Sequence, residues 1–233
     1  MINITKRSKR YTELAKKIVS KKYSLDSALV LLKEFNTTNF TESTELHIAL
    51  NINPKQSEYQ VRTSIVLPHG LGKSKKIAVL TEDENEKEFL QLGAFLAGYT
   101  SIIETIASGK LNFDILLTTP LLMPKLAKFG KILGPKGLMP SPKSGTVVTD
   151  LALALSEFRK GKIEYKTDKM GIIHSSFGNL TFTVDQLKKN FIEFYLSILK
   201  QKPSSIKGRY IKSVNICSTM SPNLSIDLTT LKF

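Results

Sequence analysis

Two changes of hydrophobic rhythm, near Lys75 and near Gly161, constrain this chain more than any other feature. Before the first, STELHIALNI sets Leu46, Ile48, Leu50 and Ile52 against polar neighbours, the period-two pattern of a strand buried on one face. Between the two changes, apolar strands alternate with helix-forming segments. KIAVLT is followed by EDENEKEFLQLGA, a short extended piece at Tyr99 and Thr100 by SIIETIASG, and FDILLTTP by a helix from Met123 to Ile132; TVVT and ALALSEFRKG close the series. This βαβα order calls for a parallel or mostly parallel sheet covered by helices, because parallel strands are joined only by long crossovers. After Gly161 the two-residue period returns in KIEYKTDKMGIIHSSFGNLTFT, with a turn near Lys169-Met170-Gly171. The fold class expected is therefore mixed, α/β and α+β. An α+β domain is built from both termini, residues 1–67 and 159–233, and an α/β domain, residues 68–158, is inserted into it.

The outer module adds its own signals. A first helix is expected from Tyr11 to Ser20, with Leu14, Ile18 and Val19 on its apolar face. Ser24 reads as the N-cap of a second, whose stripe is Ala28, Leu29, Leu31, Leu32 and Phe35. VRTSIVLP, residues 61–68, reads as a strand stopped by Pro68. VDQLKKNFIEFYLSILKQK is an amphipathic helix that buries Leu187, Phe191, Phe194, Tyr195 and Ile198, and two strands follow, Tyr210 to Cys217 and Leu224 to Leu228.

Charge follows the same division. The chain of 233 residues carries a net +14, which predicts a polyanionic partner, nucleic acid ahead of an anionic membrane surface. The outer segments hold +5 and +8 of that excess, and the insert only +1, its lysines offset by acids that include Glu82, Asp83, Glu84, Glu86 and Glu88. The main polyanion site is therefore expected on the outer module. No run of ~18 apolar residues exists to span a membrane, and the basic N-terminus lacks the apolar core of a secretory signal. Cys217 is the only cysteine, which excludes an internal disulfide and a cysteine-based metal cluster and points to a reducing compartment.

Two stretches look like phosphate loops. Lys128 to Val148, KFGKILGPKGLMPSPKSGTVV, combines Gly and Pro that fix an irregular backbone with Lys128, Lys131, Lys136 and Lys143 and no acid. It reads equally as a phosphate contact or as a solvated basic loop. PHGLGKSKK, residues 68–76, has Gly72, Lys73 and Ser74 at the end of a Walker motif, but Leu67 stands where its first glycine is required and a strand follows instead of a helix. A nucleotide loop is not expected there.

Material for catalysis is sparse. His47, His69 and His174 are far apart in sequence with no metal-ligand spacing, His47 reads as a surface residue, and Cys217 as a structural thiol within a strand. No cofactor or metal is expected, and an enzyme reading rests on the α/β insert alone. Material for RNA is better. Phe40 lies among Thr37, Thr38, Asn39 and Thr41, and Ser218-Thr219-Met220-Ser221 forms a second hydroxyl-rich cluster between strands. Phe and Met lie against bases or sugars while hydroxyls bond phosphate and ribose. Spacing alone would still place Phe40 in the core.

KFGKILGPKGLMPSPKSGTV closely resembles the signature of the first large-subunit ribosomal protein family, the L-one or universal uL-one family. LPHGLGK at 67–73, GKIEYKTDKMGIIH at 161–174, KSVNICSTMSPNLSI at 212–226 and RSKRYTELAKK near the start resemble further stretches of it in the same order. The ending STMSPNLSIDLTTLK looks most like the bacterial and plastid branch. The resemblance implies a discontinuous RNA-binding domain, an inserted Rossmann-like three-layer α/β domain, and a hinge at Pro68, Gly70 and Gly161. It maps the family's rRNA contacts onto Phe40, Glu42, Ser43, Ser213, Thr219, Met220 and Ser221, with Lys166 and Lys169 beside them. Ser221 stands where the family usually has Gly, and Asn39 where it usually has a basic residue.

The expected function is that of a non-enzymatic structural component of the large ribosomal subunit. It would bind the rRNA of the mobile stalk near the exit site, as a monomer within the ribosome of a plastid stroma or bacterial cytoplasm. It would also assist release of deacylated tRNA and repress its own mRNA. Lys131, Lys136 and Lys143 would make secondary RNA or tRNA contacts. The alternative is a free-standing RNA-binding repressor not attached to ribosomes.

Overall fold

The structure, a computed structural model, describes residues 7–19, 21–53, 59–82, 85–109, 111–204, 206 and 208–231. The chain divides into two compact units. The first comprises Met1–Val61, Leu67–Gly72 and Tyr165–Phe233, the second Arg62–Val66 and Lys73–Glu164. The divisions expected at 67/68 and 158/159 differ from these limits by up to six residues. In the second unit, strand β2 (Arg62–Val66) packs on the segment around Pro142–Ser144, and the division at 164/165 falls within strand β6 (Lys162–Lys166).

In the first unit, β1 (Ser43–Leu50), β7 (Ile172–Asn179), β8 (Ile211–Ser218) and β9 (Leu224–Ile226) form a sheet in the order β7-β1-β8-β9, antiparallel at every junction. Burial alternates along β1, with Thr44, Leu46, Ile48 and Leu50 inside, as its period requires. Val214 and Ile216 of β8 and Ile173 and Phe177 of β7 are buried with them. Helices α2 (Leu25–Glu34) and α8 (Val184–Lys200) pack on this sheet. Ser24 caps α2 by accepting from the Ser27 N–H, and Thr183 and Gln186 form a reciprocal capping box on α8. Leu187, Phe191, Phe194, Tyr195 and Ile198 are buried on α8, and so is Asn190, which the apolar stripe does not reveal. Helix α1 spans Lys9–Lys16, earlier than Tyr11 to Ser20, because the Ser8 side chain caps it at the Tyr11 N–H.

The second unit holds a parallel sheet in the order β4-β3-β5, made of Leu96–Ala97, Ile77–Leu80 and Ile115–Thr118. Alternate residues of β3 face opposite ways. Ile77 and Val79 pack with Phe89 of α3 (Glu86–Gln91) and Leu151, Ala154, Leu155 and Phe158 of α7 (Leu151–Lys160). Ala78 and Leu80 pack with Ile102 and Ile106 of α4 (Thr100–Ala107), Leu126 of α5 (Met123–Ala127) and Leu133 of α6 (Gly130–Leu133). Helices thus cover both faces. Three local expectations change. The extended piece is Leu96–Ala97, and Thr100 already opens α4. The helix from Met123 to Ile132 breaks into α5 and α6 at Lys128-Phe129, where Gly130 weakens the helix. TVVT contributes only an isolated bridge between Thr118 and Val147.

The segment that resembled a Walker motif is a turn with no following helix. Gly72 lies at φ 71°, and a Cβ built there would collide with the Asn179 side-chain amide. A left-handed backbone costs a non-glycine residue about 1–2 kcal/mol before any clash. Gly72→Ala should therefore lower the unfolding free energy by about 2 kcal/mol, read from urea denaturation. A loss below about 0.5 kcal/mol would show that the turn relaxes freely.

Candidate nucleic-acid interface

Two loops meet at one end of the first unit's sheet, and a buried carboxylate joins them. Glu42 is fully buried just before β1. Its Oε2 accepts from Ser218 Oγ at 2.5 Å and from the Met220 N–H at 2.9 Å, and its Oε1 accepts from Thr38 Oγ1 at 2.8 Å. Arg10 stands 4.0 Å from Oε1, and it donates to Thr37 Oγ1 at 3.2 Å and to the Met220 carbonyl at 3.0 Å. A buried charge satisfied this fully fixes the groups around it. Glu42 is thus a positioning group with no surface to offer RNA, which corrects its expected place among the contacts.

What Glu42 positions is exposed. Phe40 is 53% exposed and Met220 48%, so Phe40 is not the core aromatic its spacing suggests. Thr38 Oγ1 reaches the Phe40 carbonyl, tying that turn down. The Thr219 N–H donates to the Ser43 carbonyl, and Thr219 Oγ1 accepts from the Ser43 N–H at 3.1 Å, extending the β1–β8 ladder by one residue. Ser221 Oγ accepts from the Ser218 N–H at 2.8 Å and donates to the Pro222 carbonyl. Ser221 has no left-handed φ, so a serine here carries no backbone penalty, and its hydroxyl turns back on its own loop.

Beside these loops a cleft is lined by Arg7, Arg10, Tyr11, Thr219, Met220 and Ser221, with the Arg7 guanidinium 5.0 Å from the Tyr11 ring centre. Arg7 and Arg10, at the end of the basic N-terminal arm, and Tyr11 are not among the expected contacts. The signal available was two arginines one helical turn apart across a capping serine. Residues 1–6 of that arm lie outside the described residues.

The remaining expected contacts are not gathered here. Ser213 pairs with Ala49, six residues along β1 from Ser43, which is about 20 Å away at ~3.3 Å per residue. Lys166 and Lys169 are exposed near that other end, where Asp168 accepts from the Met170 and Ile172 N–H groups to close the turn. Lys131, Lys136 and Lys143 are exposed on the second unit. Their loop is held by a hydroxyl cluster. Thr146 Oγ1 accepts from the Ser141 N–H at 2.9 Å and meets Ser144 Oγ at 2.9 Å, while Ser144 Oγ donates to the Ser141 carbonyl.

At the expected hinge, the Gly70 N–H closes a turn on the Leu67 carbonyl across Pro68 and His69. Asn190 grips this turn, accepting from the His69 N–H at 3.1 Å and donating to the Gly70 and Phe177 carbonyls at 2.9 and 2.8 Å. Gly161 ends α7 at φ 110°.

The sheet face opposite α2 and α8 carries Glu45, His47, Ser213, Asn215 and Cys217, all half-buried. His47 and His174, read as distant, are register partners with their Nδ1 atoms 2.9 Å apart. Cys217 is not within the apolar core, and its Sγ lies 3.3 Å from His47 Nε2. Burial and then the adjacent His174 hold the His47 imidazole below its usual pKa, against the opposing pull of Glu45. Burial, with Glu45 and Glu42 adding to it, pushes the Cys217 thiol up to about 11. Among the described residues no helix is long and apolar enough to cross a membrane.

Comparison with known proteins identifies the family. The model of the ribosomal protein L1p/L10e family matches residues 32–222. Large ribosomal subunit protein uL1c of Trieres chinensis is 51% identical over 224 residues, covering 96% of this chain and 97% of that protein. The protein of the same name from Phaeodactylum tricornutum is 51% identical over 229 residues, covering 98% of each. Large ribosomal subunit protein uL1 of Prochlorococcus marinus (strain MIT 9303) is 46% identical over 227 residues, covering 97% of each. These names describe ribosomal proteins and not enzymes. A match over most of the chain, together with identities near one half along its length, makes this chain a member of the ribosomal protein L1p/L10e family.

Proposed function

We propose that this chain is a structural component of the large ribosomal subunit, in a plastid or a bacterium, and grips the rRNA of the mobile stalk. The observation that carries the reading is the pair of acid-pinned loops that present Phe40 and Met220 to solvent beside Arg7 and Arg10. Apolar side chains at half exposure, rigidly held and flanked by guanidinium groups, suit stacking and sugar contacts on folded RNA. Ser43, Thr219 and Ser221 lie around them, and Ser213, Lys166 and Lys169 extend the footprint toward the far end of the sheet. The excess of Lys and Arg adds a salt-dependent, sequence-independent contribution.

In the same reading the chain assists release of deacylated tRNA from the exit site and represses its own mRNA through the surface that grips rRNA. Pro68, Gly70 and Gly161 serve as the hinge, and Lys131, Lys136 and Lys143 make secondary contacts with RNA or tRNA. Thr219→Ala removes the hydroxyl that joins the two loops and should weaken binding to a stalk rRNA fragment about tenfold in a filter assay. Lys136→Ala removes one mobile charge and should change binding about twofold or less. Equal losses would sink the assignment of the grip to the first unit.

A further inference from the structure

We propose that Glu45, His47 and Cys217 form a binding site for a borderline-soft divalent cation of the zinc class, oriented by His174 and Asp168. The three ligands come from adjacent strands on one face of the sheet. Glu45 and Cys217 are register partners across β1 and β8, and His47 follows Glu45 by two residues, so it points the same way. His47 Nε2 lies 3.3 Å from Cys217 Sγ and 3.8 Å from Glu45 Oε2, and the three donor atoms all stand within 4.8 Å of one another. Ligands of tetrahedral zinc, bonded at about 2.0–2.3 Å, stand roughly 3.3–3.8 Å apart. Small rotations about side-chain bonds therefore complete a three-ligand site, with a water molecule in the fourth position. Thiol and imidazole select against Mg2+ and Ca2+, which favour oxygen ligands.

A second observation separates this cluster from a chance meeting of polar groups. Asp168 is fixed by the Met170 and Ile172 N–H groups and stands 3.4 Å from His174 Nε2. A carboxylate at that distance favours the tautomer with its proton on Nε2, in which His174 Nδ1 is the acceptor. In that tautomer His47 Nδ1, 2.9 Å away, is the donor, and His47 Nε2 turns its lone pair toward Cys217 and Glu45. An imidazole whose other nitrogen is tied through a relay to a carboxylate is the usual support of a metal-bound histidine. On binding, the metal takes the place of the Cys217 thiol proton, which leaves to solvent.

The test uses the free full-length chain without RNA, so its outcome is independent of the RNA reading. Co2+ is added in the presence of a non-thiol reductant. The expected result is a thiolate-to-cobalt charge-transfer band that saturates at one equivalent and is displaced by Zn2+. Cys217 is the only cysteine, so the band can report no other site. It should vanish in Cys217→Ser, and affinity should fall at least tenfold in His47→Ala and by about 10–100-fold in His174→Ala, with the band retained in the latter. Zn2+ should also slow alkylation of Cys217 by iodoacetamide in the unmodified chain, a readout that needs no variant. Absence of the band, unchanged affinity in His47→Ala, or equal alkylation rates with and without Zn2+ would overturn the proposal.

Discussion

Glu42→Ala is expected to destabilise the first unit by about 3–5 kcal/mol and to weaken binding of stalk rRNA about a hundredfold. The stability loss follows from what is left behind. The Ser218 hydroxyl, the Met220 N–H and the Thr38 hydroxyl all lose a buried charged acceptor, and Arg10 loses its nearby carboxylate. Hydrogen bonds to charged groups contribute about 1.5–3 kcal/mol each, and the members of one network do not add independently. The binding loss follows because Phe40, Thr219 and Met220 would have to be ordered at the moment RNA binds. Glu42→Gln separates the two effects. Its amide keeps one acceptor oxygen for Ser218 and Met220 but offers Thr38 a donor, so a smaller loss of about 1–2 kcal/mol is expected. Urea unfolding and filter binding of both variants measure this. A loss below about 1 kcal/mol for Glu42→Ala would refute the role of the carboxylate as the joint between the loops. Unchanged RNA affinity with the expected destabilisation would refute the RNA reading alone.

The second large effect is expected at Asn190. Asn190→Leu keeps the volume and removes three hydrogen bonds, leaving the His69 N–H and the Gly70 and Phe177 carbonyls without that partner. Each buried polar group left unsatisfied costs about 1–3 kcal/mol. Partial rearrangement of the turn limits the total to roughly 3 kcal/mol. Hydrogen exchange at the His69 N–H should become rapid in the variant, localising the damage to Leu67–Gly72. A loss under about 1 kcal/mol with His69 still protected would show that the turn holds itself.

How much of this was legible in the sequence depends on the range of the interaction. Ser24 as a cap, the buried stripe of α8 and the alternation of β1 are written within a few residues of one another, and each stands in the structure where the pattern put it. Errors gathered where a neighbour in space outweighed local pattern. The two-residue strand β4 takes its register from β3. Nothing in the local pattern of β6 marks the division that falls between Glu164 and Tyr165.

The site follows the same division. Legible in the sequence alone are the charge excess of +14, the family motifs in register, and the hydroxyl-rich clusters around Phe40 and Thr219. Only the tertiary structure decided that Glu42 is a buried joint, that Arg10 closes the cleft beside Met220, and that Asn190 holds the turn at Gly70. It also brought His47, His174 and Cys217 together from three strands, although residues 47 and 217 are 170 positions apart. The physical reason is that charge and periodicity are sums over the chain, whereas a hydrogen bond needs two atoms within about 3 Å. Strand register, set by the buried face, makes that choice between residues far apart in sequence.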